Sequence, residues 1–424
     1  MAQLSDDCFA FGGALLPVEA AQALIAERVP PLGGEEDVPL IAARGRVLAR
    51  DLRAPLPLPP FFNAAVDGYA FRHADLAPGQ ATPLALAGRL PAGQAAEAPL
   101  PPGATLRIFT GAPMPPGADT VLMQEDARLE GGTVLVPAGL KPGANARPAG
   151  EDVAADAVAL PAGRRLRAPE IGLAAALGCT TLPVRPLLRV GVFSTGDELT
   201  SPGRPLGPAQ TYDSNRFTLL ALLAGLPVAA TDLGILPDRA EATAAALREA
   251  AAGHDLLLTS GGVSTGEEDH VRAAIEQGGR LVFWRLAVKP GRPAAMGVVR
   301  KGRDEAAEAV PVIGLPGNPV AAVVTFLHLA RPLVLRLAGA AAETLPRFPA
   351  RAAFAYRKKP GRREYVRVRL LPGAPLPVAE KFSREGAGLL SSLTESDAFA
   401  ELPEDSLAVA PGDTVQVLPF AAVF

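Results

Sequence analysis

The sequence predicts a multidomain α/β plus β protein. Its expected parts are an N-terminal helical linker domain, a β-rich lasso-like domain, a central three-layer α/β domain with a mostly parallel sheet, and a C-terminal small β-barrel. Three observations support this fold class. The chain has 424 residues, enough for about two to four domains. Strand-like and helix-like segments alternate over residues 187–338, whereas short apolar runs separated by Pro and Gly fill residues 56–150 and 347–424.

The helical linker domain is assigned to residues 14–55 and 151–186. Apolar side chains over residues 17–25 recur at helical spacing, and a second short helical run is expected over residues 39–48. Four prolines then favour an extended connector: Pro55, Pro57, Pro59 and Pro60. A helix over residues 168–177 returns the chain to this domain, which is therefore discontinuous.

Two further domains have β character. The β-rich domain is assigned to residues 56–150, where turn residues separate apolar runs at residues 105–109, 120–124 and 133–136. In the C-terminal domain, residues 347–424, apolar and charged side chains alternate, as in Val366, Arg367 and Val368. This period of two predicts strands with one buried face, in a small barrel or sandwich.

The central α/β domain is assigned to residues 187–338. Apolar runs typical of strands buried on both faces occur at residues 187–193, 226–233, 255–259, 281–288 and 310–315. Helical segments are expected at residues 213–223, 239–251, 269–277 and 320–337. Ser214 is a candidate cap of the first helix. Because helices join most of these strands, the sheet is expected to be mostly parallel.

Composition and cysteine usage exclude several classes of protein. Charged residues make up 20% and the formal net charge is −3, so no basic surface for a nucleic acid is expected. Asp6 and Asp7 precede the first apolar stretch, where an export signal would carry positive charge. The apolar region 320–342 contains charged residues and predicts a buried helix instead of a membrane span. Cys8 and Cys179 are too few for a disulfide framework, so a cytoplasmic protein is expected.

Three loops of the α/β domain each follow a predicted strand, at residues 194–199, 259–269 and 314–319. Such loops meet at the carboxyl edge of a parallel sheet, where ligands bind. Glycines let backbone N–H groups approach phosphate oxygens, so we expect a phosphorylated small molecule here. The candidate contacts are Thr195, Gly196, Asp197, Ser260, Gly261, Gly262, Ser264, Pro316, Gly317, Asn318 and Pro319. Neither a Walker A motif nor a G-x-G-x-x-G fingerprint occurs, which argues against a simple nucleotide triphosphatase or dehydrogenase.

Carboxylates and cations accompany these loops. Clustered carboxylates beside a phosphate site commonly bind Mg²⁺, and the candidates are Glu198, Asp238 and Asp269. Lys289 and Arg292 flank a Pro-Gly turn after a predicted strand, and two cations on one turn can bind an oxyanion. Solvated surface charge is the alternative interpretation for each of these residues.

Eight segments carry a specific joint pattern. They are Val66-Asp67-Gly68-Tyr69-Ala70, Thr110-Gly111-Ala112-Pro113, Gly150-Glu151-Asp152, Ser194-Thr195-Gly196-Asp197-Glu198-Leu199, Asp213-Ser214-Asn215, Ser260-Gly261-Gly262-Val263-Ser264, Lys289-Pro290-Gly291 and Leu315-Pro316-Gly317-Asn318-Pro319. From about residue 14 to 424 the chain resembles the molybdopterin molybdenumtransferase family, which includes bacterial MoeA and the E domain of gephyrin. The eight segments occur in the same order as in that family.

The resemblance implies an activity, a set of catalytic candidates and partners. The protein would be an elongated homodimer of four-domain subunits, and the α/β domain would bind adenylylated molybdopterin. Molybdate would react with the dithiolene sulfurs of the molybdopterin while the adenylate is cleaved with Mg²⁺. In the family the second domain reaches the α/β site of the other subunit. Its site positions are matched here by Asp67, Thr110 and Asp152. The acidic positions are matched by Glu198, Asp238 and Asp269, and the remaining site positions by Lys289, Pro316 and Pro319. Molybdopterin adenylyltransferase and apo-molybdoenzymes are the implied protein partners.

The chain also departs from the family pattern. Phe62-Asn63-Ala64 differs from the usual segment, Arg292 replaces a lysine, and Ala321 and Ala387 replace serines whose hydroxyls could contact molybdate. Nearby residues that could replace these hydroxyls are Ser391, Ser392 and Arg363. Two alternatives therefore stay open: a non-catalytic paralogue that binds molybdopterin or molybdoenzymes as a chaperone or scaffold, and a molybdopterin adenylyltransferase. The long flanking domains argue against the second.

Overall fold

The computed structural model describes residues 15–236, 239–261, 270–291, 293–301 and 308–424. Internal packing divides the chain into two compact units. The first unit comprises Met1–Ala49, Ala162–Arg167 and Leu182–Phe424, and holds an α/β domain and a β-barrel. The second unit comprises Arg50–Pro161 and Ala168–Thr181, and holds a separate sheet. The division into four domains remains a prediction.

The α/β domain contains a sheet of six described strands. In spatial order they are Val228–Leu236, Leu188–Thr195, Leu256–Ser260, Ala309–Leu315, Pro293–Arg300 and Gly279–Arg285. The first four strands are parallel to one another, and the last two continue the sheet in antiparallel pairs. The prediction of a mostly parallel sheet is confirmed.

Two details of this sheet differ from the sequence prediction. The single strand expected over residues 281–288 divides into Gly279–Arg285, which lies in this sheet, and Val288–Lys289, which pairs with the barrel. The sequence did not predict the strand Pro293–Arg300. It pairs antiparallel with both neighbours, so it has no crossover helix of its own that would mark it in the sequence.

Helices cover both faces of the sheet. In the described part of the chain they are Asn215–Leu223, Ala240–Gly253, His270–Gly278 and the continuous segment Pro319–Leu337. Side chains alternate between the faces of a strand, which gives two cores. Val192 packs with Leu219 and Val323 in one core, and Leu257 packs with Leu247 in the other. The predicted three-layer arrangement is confirmed.

The segment Pro319–Leu337 is long and apolar enough to cross a membrane by length and composition alone, but 83% of it is buried inside the fold. It consists of α-helical turns at Pro319–Thr325 and Arg331–Leu337 joined by the π-helical turn Phe326–Ala330. Its apolar side chains pack against the sheet and against the N-terminal helix Val18–Arg28. The prediction of a buried core helix is confirmed.

The C-terminal strands close into a small barrel. Its strands are Phe348–Ala352, Arg363–Leu371, Val378–Lys381, Ala398–Leu402 and Thr414–Pro419. The ring closes because Arg363–Leu371 pairs with both Val378–Lys381 and Ala398–Leu402. Alternate residues of that strand, such as Val366 and Val368, fill the barrel core. The strand Val288–Lys289 of the α/β domain is added to this barrel, parallel to Arg363–Leu371.

The second unit is built on a mixed sheet. In spatial order its described strands are Thr120–Met123, Gly68–Phe71, Ala104–Ile108, Thr82–Leu90, Thr133–Val136 and Arg128–Glu130. Two short ribbons, Leu52–Arg53 with Val158–Leu160 and Asn63–Ala64 with Ala146–Arg147, complete it with the helix Ala168–Ala176. The expected β-rich character is confirmed, as are the three predicted runs at residues 105–109, 120–124 and 133–136.

The prediction of a helical run over residues 39–48 is wrong. Glu36–Pro39 is a strand, and Leu40–Ala42 forms only one turn of 3-10 helix. The apolar spacing misleads here because Ile41 is 95% exposed, so the apolar residues do not share one buried face. The first predicted helix is confirmed as Val18–Arg28.

Gly68 lies where two strands of the second unit approach closely. A Cβ at this position would lie 2.0 Å from the Leu122 carbonyl oxygen and 2.9 Å from Val121 Cγ1. Because a backbone oxygen cannot move aside easily, we expect Gly68→Ala to destabilise the second unit by about 2–3 kcal/mol in urea unfolding. Gly172→Ala is a matched control, because a Cβ there would meet no atom of the described residues within 4 Å. Equal stability of the two variants would contradict the steric explanation.

Candidate functional site

The three predicted loops begin side by side at the carboxyl edge of the α/β sheet. In the strand register Ser194 lies opposite Ser260, and Ser260 lies opposite Leu315. The chain therefore leaves three adjacent strands at Thr195, Ser260 and Leu315 and enters the loops at one edge. The expectation that the three loops start at one edge is confirmed, and residues 262–269 of the second loop lie outside the described residues.

The first loop turns tightly at Gly196. Thr195 is buried, whereas Asp197 and Glu198 are exposed. Gly196 has a φ of +136°, and a Cβ there would lie 2.4 Å from Glu198 Oε2. The Glu198 carboxylate therefore folds back over the glycine, whose positive φ is one that residues with a Cβ rarely adopt.

The second and third loops are joined by hydrogen bonds. The Gly261 N–H donates to the Leu315 carbonyl at 3.0 Å, and Ser260 Oγ donates to the Pro316 carbonyl at 3.2 Å. Asn215 Nδ2 donates to Ser260 Oγ at 2.8 Å and to the Gly317 carbonyl at 2.7 Å. The Ser260 hydroxyl, predicted as a ligand contact, therefore bonds to the protein on both its donor and its acceptor side.

The third loop leads into the helix that begins at Pro319. Asn318 is exposed at the cap position, and Pro319 occupies the first turn. The Val320 N–H donates to the Ala387 carbonyl of the barrel at 3.0 Å. This bond places the barrel segment that contains Ala387 against the start of the helix.

The helix Asn215–Leu223 starts beside these loops and is anchored by buried charge. Arg216 Nε donates to Asp213 Oδ2 at 2.8 Å, with both side chains at most 4% exposed, and Arg216 also bonds to Asp232. Burial opposes the charge on Arg216, but its bonds to the two carboxylates raise the pKa of the guanidinium. Ser214 occupies the cap position as predicted, although its side chain caps none of the described N–H groups.

Lys289 lies in a network at the boundary between the α/β domain and the barrel. Its Nζ donates to Tyr356 Oη and to Glu364 Oε2, both at 3.0 Å, and Tyr356 Oη donates to the same carboxylate oxygen at 2.7 Å. Burial opposes protonation of Lys289, but these hydrogen bonds outweigh it and raise the pKa of the ammonium group. Lys289 is therefore a fixed positive charge.

Lys289 also lines a pocket of about 210 Å³ whose other cations come from the barrel. They are Arg367, Lys381 and Arg384, and Lys381 is paired at 2.7 Å with Glu385, the one carboxylate among the described residues of the same lining. Arg367 Nε is buried and finds no hydrogen-bond acceptor among the described residues. The Tyr356 ring lies 5.5 Å from both the Lys289 and the Lys381 ammonium groups. We call this the cationic pocket; a pocket with this charge and an unpaired donor suits an oxyanion.

Sequence reasoning missed the three barrel cations. The alternating pattern predicts Arg367 only as the outward side of a strand, and the closure of the barrel places it in the pocket. The proposed replacements for the missing hydroxyls lie outside the pocket lining. Arg363 is bound in ion pairs with Glu19, Glu401 and Glu404. Ser392 Oγ donates to Leu389 O, and Ser391 accepts a bond from Arg384.

Two of the three second-domain candidates meet in the second unit. The Asp67 carboxylate accepts hydrogen bonds from Thr110 Oγ1 at 2.7 Å and from the Thr110 N–H at 2.8 Å. These two bonds, with a smaller effect of Arg107, hold the pKa of Asp67 below its ordinary value. Asp152 is exposed on a turn, and its own backbone N–H donates to the Leu58 carbonyl at 2.9 Å.

The Asp67–Thr110 hydrogen bond can be tested by titration. Thr110→Val removes the hydroxyl donor but leaves the backbone donor, so the pKa of Asp67 should rise toward its ordinary value. Carbon-detected NMR titration of the Asp67 carboxylate measures this directly. Thr133→Val, in a strand of the same unit, is the control and should leave the Asp67 titration unchanged. An unchanged pKa in Thr110→Val would contradict the assigned cause.

Several predicted site residues lie outside the described residues. These are Asp238, Gly262, Ser264, Asp269 and Arg292. Within the described ranges, groups of three or more His, Cys, Asp or Glu side chains that could hold a metal ion do not occur. Of the three predicted Mg²⁺ ligands, only Glu198 is therefore placed, as an exposed carboxylate beside the first loop.

The fold and the three adjacent loops are those of an α/β enzyme that binds a small molecule at the carboxyl edge of its sheet. Family models match almost the whole chain. Residues 16–178 match the MoeA N-terminal region (domain I and II), residues 191–336 the "Probable molybdopterin binding domain", and residues 349–420 the MoeA C-terminal region (domain IV). The chain belongs to the molybdopterin molybdenumtransferase family.

Individual relatives agree with this assignment. The chain is 37% identical to a molybdopterin molybdenumtransferase of Haemophilus influenzae, over 96% of this chain and 99% of the relative. It is 34% identical to the protein of that name from a Nostoc species, over 93% and 92% of the two chains. The crystal structure of a molybdopterin biosynthesis moeA protein from Pyrococcus horikoshii superposes with a TM-score of 0.78 at 29% identity, covering 95% and 99% of the two chains. The predicted fold class and family are thereby confirmed.

Proposed function

We propose that this chain transfers molybdenum from molybdate to adenylylated molybdopterin, with release of AMP. The observation that supports this most directly is the adjacency of two subsites. The loop edge suits phosphate groups, and the cationic pocket suits an oxyanion. The bond from the Val320 N–H to the Ala387 carbonyl joins the third loop to a residue that lines the cationic pocket.

The loop edge is proposed to hold the adenylate. Gly317 is exposed, and a Cβ there would meet no atom of the described residues within 4 Å, so the backbone is open to a ligand. Glycine-rich loops before a helix bind phosphate through backbone N–H groups. The predicted contacts Thr195, Asp197 and Pro319 lie at this edge, and their roles remain part of the proposal.

The cationic pocket is proposed to hold molybdate. Lys289 and the barrel cations offer N–H donors to an oxyanion, and charge-assisted hydrogen bonds of this kind are short and strong. Ala321 is buried and Ala387 lines the pocket, so neither supplies the hydroxyl that is usual in the family. In this chain the oxyanion is therefore recognised mainly by positive charge. The protein needs no catalytic cysteine, because the sulfur ligands belong to the pterin.

Mg²⁺ is proposed as the cofactor of adenylate cleavage. Glu198 fits the role of a ligand, because its carboxylate is exposed and folds over Gly196 at the loop edge. Asp238 and Asp269 are proposed as the further ligands. When bound, Mg²⁺ would offset the charge that develops on the phosphate oxygens.

The chain is further proposed to act as a cytoplasmic homodimer. In this proposal Asp67, Thr110 and Asp152 of the second domain complete the α/β site of the other subunit. The hydrogen-bonded Asp67 carboxylate is held ionised and oriented by Thr110, as a residue that positions a substrate requires. Molybdopterin adenylyltransferase and apo-molybdoenzymes are the proposed protein partners.

A turnover assay tests the proposed activity. The purified protein is incubated with adenylylated molybdopterin, molybdate and Mg²⁺, and released AMP is measured against a reaction without molybdate. Molybdate-dependent AMP release supports the proposal, and AMP release no greater than the background rules it out. The loss of two hydroxyls, at Ala321 and Ala387, favours a non-catalytic scaffold as the alternative. Such a scaffold would bind molybdopterin in equilibrium dialysis but would release no AMP.

A further inference from the structure

Asn215 joins two of the three loops, although it is outside the set of predicted site residues. We propose that Asn215 is a positioning residue that holds the second and third loops at the separation that the phosphates of an adenylate require. This inference rests on the proposed function, because the adenylate is the ligand that the loops would hold. It assigns to one side-chain amide the position of Gly317 relative to Ser260, in addition to the Gly261–Leu315 and Ser260–Pro316 bonds that join the two loops.

The geometry of the amide supports this role. Its Nδ2 atom donates to Ser260 Oγ at 2.8 Å, at the end of one strand, and to the Gly317 carbonyl at 2.7 Å, two residues beyond the next strand. Ser260 Oγ in turn donates to the Pro316 carbonyl at 3.2 Å. These four residues form a closed set, because Pro316 and Gly317 are consecutive in the chain.

The orientation of the amide follows from its partners. The Gly317 carbonyl can only accept a hydrogen bond, so the amide nitrogen must face it. Ser260 Oγ uses its proton for Pro316, so it also needs a donor from Asn215. The opposite atom, Asn215 Oδ1, is buried and accepts no hydrogen bond from the described residues. An oxygen in place of the nitrogen would set two acceptors against each other.

Asn215 is held in place by the helix to which it belongs. It is the first residue of the helix Asn215–Leu223, and the next residue, Arg216, is fixed by the buried ion pair with Asp213. The amide therefore extends from a rigid helix start toward two loops. Gly317 is exposed and has no side chain of its own to pack, so its carbonyl depends on this donor for its position.

The variant Asn215→Asp tests the inference because it keeps the size of the side chain and replaces the donor with a charged acceptor. Repulsion should move the Gly317 carbonyl away from Ser260, while the Gly261–Leu315 and Ser260–Pro316 bonds stay in place. We expect the affinity for AMP, measured by calorimetry, to fall about 10- to 100-fold. The KM for adenylylated molybdopterin should rise by a similar factor, while kcat changes less. Asn215→Gln, which keeps the donor, should recover part of the loss.

Two controls separate positioning from general damage. Thr218→Val removes a hydrogen bond to the Ser214 carbonyl in the same helix and should leave AMP binding unchanged. Binding of molybdate alone, in the cationic pocket, should stay within about twofold in Asn215→Asp, since no contact of Asn215 reaches that pocket among the described residues.

The outcomes distinguish this inference from the proposed function. If the unmodified protein neither binds AMP nor releases it in turnover, the proposed function fails. If the unmodified protein does both and Asn215→Asp behaves identically, the positioning role is wrong. If Asn215→Asp weakens AMP and molybdate binding equally and lowers the melting temperature, Asn215 is a general structural residue, and the inference is also overturned.

Discussion

Replacing Lys289 with methionine is expected to lower kcat/KM for molybdate-dependent AMP release at least about a hundredfold, the scale seen when one preorganised donor to a developing oxyanion is removed. Lys289 faces the cationic pocket from the α/β side and is held by Tyr356 and Glu364 at 3.0 Å each. Methionine keeps much of the length of the side chain and removes the charge. The assay is AMP release at varied molybdate concentration.

The loss must be separated from damage to the network around Lys289. Glu364 is only 1% exposed, so Lys289→Met leaves a buried carboxylate with only the more distant guanidinium of Arg362, at 3.9 Å, as a cationic partner among the described residues. The double variant Lys289→Met with Glu364→Gln removes that carboxylate charge and should recover stability but not turnover. Lys359→Met, at an exposed lysine of the barrel, is the matched control and should retain full activity. Normal turnover in Lys289→Met would remove this residue from the mechanism.

The second large effect concerns stability. Arg216→Leu should lower the free energy of unfolding of the α/β domain by about 3–5 kcal/mol, because it leaves a buried carboxylate without its partner. The Asp213 side chain is 2% exposed and Arg216 is 4% exposed. Trp284, the one tryptophan of the sequence, belongs to a strand of the same sheet, so its fluorescence in urea reports on this domain.

A second substitution checks the cause of that loss. Arg216→Leu combined with Asp213→Leu removes both charges and should recover a large part of the stability, as buried ion pairs replaced by apolar residues often do. Arg204→Leu, at an exposed arginine before the same helix, should change the unfolding free energy by less than about 0.5 kcal/mol. If Arg216→Leu were as mild as Arg204→Leu, the ion pair would have little part in anchoring the helix.

The sequence predicts the α/β domain well because its signal is local. Most apolar runs, such as residues 187–193, are followed by a loop and a helix, so a mostly parallel sheet and its loop edge follow from general rules. These rules do not predict the strand Pro293–Arg300, because it pairs antiparallel in the sheet and has no crossover helix. The run at residues 39–48 misleads because an apolar side chain, Ile41, is exposed there.

In the candidate site too, the sequence predicts features that depend on neighbouring residues and misses those that depend on residues far apart in the chain. The loops at Gly196, Gly261 and Gly317 can be found from glycine and strand patterns alone. The cations of the pocket cannot, because Arg367 and Lys381 are brought together with Lys289 only by the closure of the barrel. Asn215 belongs to one segment of the family pattern, but that pattern does not identify its two partners, which are 45 and 102 residues away in the chain.

The short strand Val288–Lys289 runs along the barrel strand that begins at Arg363, with Lys289 directly opposite Glu364. The barrel is therefore not a detachable module. A truncated chain that ended before residue 347 would leave this strand without its hydrogen-bonded neighbour and would deprive Lys289 of both residues that hold its ammonium group. An exchange of barrels between relatives would succeed only if the incoming barrel supplied equivalents of Tyr356 and Glu364 at the same register.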